Sequence, residues 1–401
     1  MTMLTIEGVP LNEIAKKVGT PCYIYSRALI ENNWKAFEKS HYKICYAVKA
    51  NSNLGILNLF ANKNAGFDIV SQGELERVLA AGGNPKNIVF SGVGKTKEEI
   101  KCALQVGIYS FNVESWPELE RIQEIAQLMN KKAPVTLRVN PNIDAKTHPY
   151  IATGLHHNKF GIELKEITHL KSYSHIDLIG LGCHIGSQIM DLEPFGEAID
   201  CLLNLAKKIN SIKILNLGGG LGIQYKDEKP PSIKEYLSFI EQKLKDQPYE
   251  IILEPGRSLV GNAGILLTKV EYIKETPYKN FAILDAGMND LIRPALYDAW
   301  HNIIPVTLHT DIKPKLYDLV GPVCETGDFF AHDRELAIKP DDLLAISTVG
   351  AYGASMSSNY NSRPSIAEVL VDKDEFYILR ERESYQDLFA KEKLNGLYVN
   401  G

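Results

Sequence analysis

The chain has no surplus of positive charge: 44 Lys and Arg stand against 49 Asp and Glu, a net charge of −5 at pH 7. Phosphate-backbone recognition usually leaves a basic patch or stripe, so no nucleic-acid partner is expected. Long apolar runs are missing too. No stretch approaches the roughly 18 uninterrupted apolar residues of a membrane span, and Met1 to Pro10 lacks the basic-then-apolar order of a secretion signal. A cytoplasmic chain with no membrane partner is the expectation. Cysteine is sparse, with Cys22, Cys45, Cys102, Cys183, Cys201 and Cys324 scattered and none paired at short spacing. That pattern indicates neither a disulfide framework nor a Cys-x-x-Cys zinc knuckle. His156-His157 has no partner at helical spacing, so no metal is expected.

What is present is ordinary globular composition, 45% hydrophobic and 23% charged, over 401 residues. Such a chain buries a sizeable core and has room for two domains, or for one large barrel with an attachment. Between about residues 44 and 254, β-branched runs alternate with amphipathic stretches. Strands are expected at Ile44 to Val48, Phe67 to Val70, Ile88 to Phe90, Tyr109 to Val113, Val135 to Val139, Leu178 to His184, Ile212 to Leu217 and Ile251 to Glu254. Ser71/Glu74, Thr96/Glu99, Ser115/Glu118 and Ser232/Glu235 each carry the spacing of a capping box. Nearly continuous apolar strands alternating with helices imply a parallel sheet. Eight of them suit a (β/α)8 TIM barrel better than an open doubly wound sheet. Residues 25–262 are therefore assigned to the barrel and 263–401 to a C-terminal antiparallel β-domain, an α/β plus all-β chain. In the second part Leu266 to Ile273, Phe281 to Asp285, Val306 to Thr310 and Leu343 to Val349 read as strands. The first 24 residues do not fit the repeat and pack on either part.

Three tempting motifs fail. Gly218-Gly219-Gly220-Leu221-Gly222 puts Ile223 where a dinucleotide fingerprint needs its third glycine. Gly94-Lys95-Thr96 has Val89 where a phosphate loop needs its first glycine. Gly353-Ala354-Ser355-Met356-Ser357 lacks the last glycine of a nucleophile elbow.

Chemistry in a barrel gathers at the C-terminal ends of the strands. There the sequence places Lys49, Asp68, Arg138, His184, the glycine turn and Glu254. A lysine at the end of a buried strand is desolvated, which lowers its pKa and frees the amine for attack on a carbonyl; a snorkelling lysine is the plainer alternative. Glycine-rich turns after the seventh and eighth strands are a common phosphate cradle. A Schiff-base lysine, a phosphate cradle and a buried carboxylate together describe a pyridoxal phosphate site.

These segments resemble the alanine-racemase-like, fold-type III pyridoxal phosphate decarboxylases, and within them the diaminopimelate decarboxylase family. The resemblance runs through Tyr46 to Asn51, Gly66-Phe67-Asp68, His184 to Ser187, Leu217 to Gly222, Glu254 to Arg257, Asp285 to Pro294, Gly321 to Glu325 and Gly350 to Gly353. It implies pyridoxal 5'-phosphate as cofactor, bound covalently through Lys49. His184 would stack on the ring, and Glu254 would keep the pyridine nitrogen protonated. Ser187, Gly220, Gly256 and Tyr352 would hold the phosphate, with Gly219, Pro255, Arg257, Asp68 and Arg138 also contributing to the cofactor site.

On the substrate side, Arg257, Arg293, Tyr297, Glu325 and Tyr352 offer guanidinium groups and a carboxylate, which suit the carboxylate and ammonium at the far end of meso-2,6-diaminopimelate. In the plainer alternative Arg293 and Glu325 pair with each other. The implied reaction releases carbon dioxide from the Schiff-base-linked substrate, takes a proton from Cys324 and yields L-lysine, the last step of lysine biosynthesis. Cys324 would reach the cofactor of a partner subunit, making a homodimer with shared active sites. Decarboxylation of ornithine, arginine or carboxynorspermidine, amino-acid racemisation, and a non-catalytic cofactor-binding protein stay open as alternatives.

Overall fold

After a two-residue ribbon (Thr5–Ile6 with Val9–Pro10) and the helix Leu11–Val18, the chain forms β1 (Cys22–Ser26), β2 (Lys43–Ala47), β3 (Gly66–Ile69), β4 (Ile88–Phe90), β5 (Ser110–Val113), β6 (Ala133–Asn140), paired at its end with the short strand Ile162–Glu163, then β7 (Ile176–Gly182), β8 (Ile214–Asn216) and β9 (Glu250–Leu253). The structure is a computed structural model that describes residues 4–145, 148–151, 153–155, 158–169 and 171–394. His156 and His157 lie outside the described residues.

Strands β2 to β9 pair in parallel, each with the next, and β9 returns to β2 through Leu253↔Ile44, so the sheet closes into an eight-stranded barrel. Closure leaves no unpaired edge; Cys45, Val89, Ile214 and Ile252 pack together inside, while Tyr46, on the opposite face of its strand, stacks on Phe60 of the flanking helix Leu54–Ala61. All eight expected strands are present, with ends shifted by at most two residues and Ile88–Phe90 unshifted. The helix starts differ from expectation. Thr96 and Ser232 form complete capping boxes, whereas Ser71 and Ser115 only accept their N3 N–H groups. The carboxylates of Glu74 and Glu118 reach one residue further back, to the N–H groups of Val70 (2.7 Å) and Glu114 (2.8 Å).

The chain divides into two compact units, one of Leu29–Ala263 with Gly350–Ser355, the other of the residues up to Ala28, Gly264–Val349 and the residues from Met356 onward. Gly350–Ser355 belongs with the barrel because Asn51 donates to the Gly350 carbonyl, Tyr352 N–H to that of Ala50, and Gly350 N–H to that of Gly261. No local pattern in the sequence marks this return.

The other unit is built on β1, β10 (Gly264–Glu275), β11 (Asn280–Leu284), β12 (Ile303–Pro305), β13 (Lys315–Val320), β14 (Phe329–Leu336), β15 (Leu343–Ser347), β16 (Ala367–Asp372) and β17 (Glu375–Arg380). Its main path runs β14-β13-β11-β10-β1-β16-β17, antiparallel except at β11–β13 and β1–β16. Val306 to Thr310 is not a strand. The ladder against β15 ends at Pro305, Val306 drops into the core, and Leu308 is exposed, so the apolar alternation there marks one anchored residue rather than a pleat. Leu11, Ile14, Cys22 and Ile24 pack with Leu267, Val369 and Val371, which gives the amino-terminal residues their place on this sheet. Among the described residues no helix is long and apolar enough to cross a membrane.

Candidate active site

Each barrel strand delivers a polar residue at or just past its C-terminal end. Lys49 lies in the single turn Val48–Ala50 after β2 and donates to Asp68 Oδ2 on β3 at 3.0 Å. The expectation of a lowered lysine pKa is overturned: burial pulls it down, but the Asp68 carboxylate, with Tyr352 and Glu254, outweighs burial and holds the ammonium above its ordinary range. Asp68 Oδ1 is buried and has no hydrogen-bond partner.

His184, just past β7, accepts the Gly219 N–H on Nδ1 at 3.2 Å, which leaves Nε2 to carry the proton. Burial, reinforced by the Arg138 and Lys49 charges, holds its pKa well below the ordinary value, so the ring is neutral. Arg138, on β6, pairs with Glu114 at 2.6 Å and donates to the His184 carbonyl at 3.3 Å.

The glycine turn Gly218–Gly220 follows β8, and Glu254 follows β9. Glu254 N–H donates to the Gly218 carbonyl at 2.7 Å, so the two loops are stitched at the backbone. A Cβ on Gly219 would run into the Glu254 carbonyl oxygen, one on Gly220 would come within 2.6 Å of the Gly186 carbonyl, and one on Gly256 would lie 3.0 Å from Ala50. Arg257 donates to Tyr225 Oη (2.6 Å) and Ser187 Oγ (3.1 Å), with its guanidinium 4.8 Å from the centre of the Tyr352 ring. Tyr352 itself has φ +57°, a strained value for a non-glycine residue, and its N–H is fixed on Ala50. The barrel unit thus brings together Lys49, Asp68, Arg138, His184, Ser187, Gly219, Gly220, Glu254, Pro255, Gly256, Arg257 and Tyr352.

Arg293, Tyr297, Cys324 and Glu325 belong to the other unit. There three loops are tied together: Asp328 accepts the N–H groups of Met288 and Val323, Ser358 N–H donates to the Asn289 carbonyl, and Cys324 N–H donates to Asn361. Cys324 is exposed, Tyr360 donates to the Glu325 carboxylate at 2.9 Å, and Arg293 lies over the Tyr297 ring at 5.7 Å.

Sequence reasoning missed Asn112, Asn216, Ser91, Glu114 and Tyr225. Asn112 and Asn216 both donate to Glu254 Oε1, at 3.0 and 2.6 Å. Their signal was available, a polar residue inside a short apolar strand. Lys95, dismissed with its failed phosphate loop, is a buried pin that donates to Glu118 (2.7 Å) and to the carbonyls of Gly92 and Asn112 (2.8 Å each).

Residues 27–261 match the family described as pyridoxal-dependent decarboxylase, pyridoxal binding domain. The diaminopimelate decarboxylase of Pseudomonas aeruginosa is 53% identical over 403 residues, covering 98% of this chain and 97% of that protein, and that of Vibrio cholerae is 53% identical over 404 residues, with the same shares covered. The chain belongs to the diaminopimelate decarboxylase family. Two solved members are similar throughout: the Helicobacter pylori enzyme complexed with L-lysine (TM-score 0.91, 43% identity, 95% of this chain and 99% of that one) and the M. jannaschii enzyme in co-complex with L-lysine (0.92, 40%, 98% and 97%).

The barrel mouth fits this family's cofactor, pyridoxal 5'-phosphate. It offers a lysine amine anchored by a buried carboxylate. The glycine cradle is closed to any side chain, and a buried carboxylate has one oxygen, Glu254 Oε2, clear of the amides that hold the other.

Proposed function

We propose that this enzyme removes the carboxylate of meso-2,6-diaminopimelate as carbon dioxide and yields L-lysine, with pyridoxal 5'-phosphate bound at the barrel mouth. The observation that carries the proposal is the Lys49–Asp68 pair at the mouth of a barrel whose sequence and fold match diaminopimelate decarboxylases over nearly their whole length. The relatives cited, at 40–53% identity, all carry this activity by name, so ornithine, arginine or carboxynorspermidine decarboxylation is not taken up.

When bound, the cofactor supplies an electron sink for the pair left behind as the carbon–carboxylate bond breaks. Lys49 would hold it covalently through its amine, which Asp68 positions at 3.0 Å. Neutral His184 would support the ring, where an imidazolium would repel a protonated pyridine. Glu254 would hold the ring-nitrogen proton through Oε2, since Oε1 is held by two amides. Ser187, Gly219, Gly220, Pro255, Gly256, Arg257 and Tyr352 line the phosphate end, and Arg138 fixes the His184 backbone.

After carbon dioxide leaves, Cys324 gives its thiol proton to the substrate's α-carbon, and solvent returns a proton to the thiolate. Arg293, Tyr297, Glu325, Arg257 and Tyr352 hold the distal carboxylate and ammonium. The exposure of Cys324 and Glu325 supports a homodimer in which these residues complete the site of a second copy. Six free thiols suit a reducing cytoplasm. The test is carbon dioxide release from a panel of diaminopimelate, ornithine, arginine and carboxynorspermidine. Release from diaminopimelate alone is expected, and preference for any other would overturn the assignment.

A further inference from the structure

Glu254 is gripped from two sides of the barrel. Its Oε1 accepts Asn216 Nδ2 from β8, the adjacent strand, at 2.6 Å, and Asn112 Nδ2 from β5 at 3.0 Å. In the barrel order β9-β2-β3-β4-β5, the second donor comes from four strands away, directly across the eight-stranded ring. All three residues are buried, at 3, 5 and 8% exposure for Asn216, Asn112 and Glu254.

Each amide is itself held. Asn216 Oδ1 accepts the Gly218 N–H at 2.9 Å, so the side chain cannot flip without losing both bonds, and Glu254 is thereby tied to the glycine turn. Asn112 Nδ2 also donates to Ser91 Oγ at 2.8 Å, while its backbone carbonyl accepts the buried Lys95 ammonium. The decarboxylation chemistry above asks nothing of these amides, yet they decide two properties of the carboxylate. Donors to a charged oxygen favour the ionised form that burial and the Asp68 charge oppose. By occupying Oε1 from both sides, they also leave Oε2 as the oxygen free to turn toward the cofactor.

We propose that Asn112 and Asn216 are positioning residues that keep Glu254 ionised and oriented so that Oε2 holds the proton on the cofactor's ring nitrogen. The proposal rests on the pyridoxal phosphate reading of the barrel mouth and extends it to two side chains that act on the cofactor through Glu254.

The experiment uses pyridoxal 5'-phosphate labelled with ¹⁵N at the ring nitrogen, bound to the wild-type protein and to Asn112→Ala, Asn216→Ala and the double variant. The ¹⁵N shift reports the ring proton directly. In the wild type the nitrogen should be protonated at neutral pH. Asn216→Ala should lower the pH at which that proton is lost by about one unit and weaken cofactor binding about tenfold, the scale of one charge-assisted hydrogen bond. Asn112→Ala should do the same to a smaller degree, since its bond is longer, and the double variant should exceed both. Folded variants that carry the cofactor with the wild-type ¹⁵N shift and pH midpoint overturn the proposal, since a merely structural role would lower thermal stability and leave the ring signal unmoved. Should Asn216→Ala fail to fold, Asn112→Ala, which leaves the glycine turn untouched, decides by the same readout. A wild-type protein that takes up no pyridoxal 5'-phosphate would instead overturn the cofactor reading itself.

Discussion

Lys49 and Asp68 meet at 3.0 Å across neighbouring barrel strands, with Asp68 fully buried and its second oxygen unpartnered. The charge on a lysine so placed is supported by its neighbour's charge, where burial alone would lower its pKa. The pair therefore stores the proton that must leave before the amine can react.

Replacing Asp68 with Asn removes that support. Burial then dominates, and the Lys49 pKa in Asp68→Asn apoprotein should fall below the ordinary lysine value, whereas in the wild type it lies above. Reductive ¹³C-methylation of Lys49 followed by NMR titration measures both. A variant that titrates with or above the wild type would show that Asp68 does not hold the proton.

Glu74 carries a second pH signature. Burial raises its carboxyl to about 7, above the roughly 4.3 of an unfolded glutamate. For a group raised on folding, the stabilisation is complete below the unfolded value and is lost as pH climbs through the folded one. Wild-type apoprotein should thus lose thermal stability between about pH 5 and 8. Glu74→Gln, which keeps an acceptor for the Val70 N–H, should reduce that loss by a few °C, on the scale of about 2–4 °C per kcal/mol. Equal pH slopes in paired melts would contradict it.

Gly219 leaves no room for a side chain. Gly219→Ala places a methyl against the Glu254 carbonyl and must part the two stitched loops. A lower melting temperature and at least about tenfold weaker pyridoxal 5'-phosphate binding are expected, on the 1–3 kcal/mol scale of such overpacking. Equilibrium dialysis and thermal scans read both quantities, and wild-type values in each would sink the cradle assignment.

Cys324→Ala should reduce kcat by about 10²- to 10⁴-fold, the usual worth of a positioned proton donor, with cofactor affinity unchanged. If sites are shared between subunits, mixing it with Lys49→Ala should restore activity in heterodimers. With random exchange in a two-fold dimer, about a quarter of the wild-type rate is expected. No recovery after exchange is demonstrated by mass spectrometry would place both residues in the same subunit's site.

The barrel was legible because its physics is local. Continuous apolar runs of four to six residues, capped helix starts and glycine turns repeat along the chain, and polar residues at strand ends stand out against them. The β-domain was less legible. Its strand β13 is broken by Asp318, and β17 leaves Tyr377 and Ile378 of its apolar run exposed, while Val306 and Leu308 imitate a strand that the chain does not form. Asn112 and Asn216 stood out as polar residues inside apolar strands, but a buried amide has a meaning only once its acceptor is known, and Glu254 lies 142 and 38 residues away from them.

By itself, then, the sequence determined the order of strands and helices, the residue types at the strand ends and the family to which they belong, since these follow from neighbours along the chain. Only the tertiary structure decided the charge on Lys49, the two-sided grip on Glu254 and the return of Gly350–Ser355 to the barrel. Each of those depends on groups far apart in the chain that meet in a buried, low-dielectric space, where one neighbouring carboxylate or amide outweighs everything local.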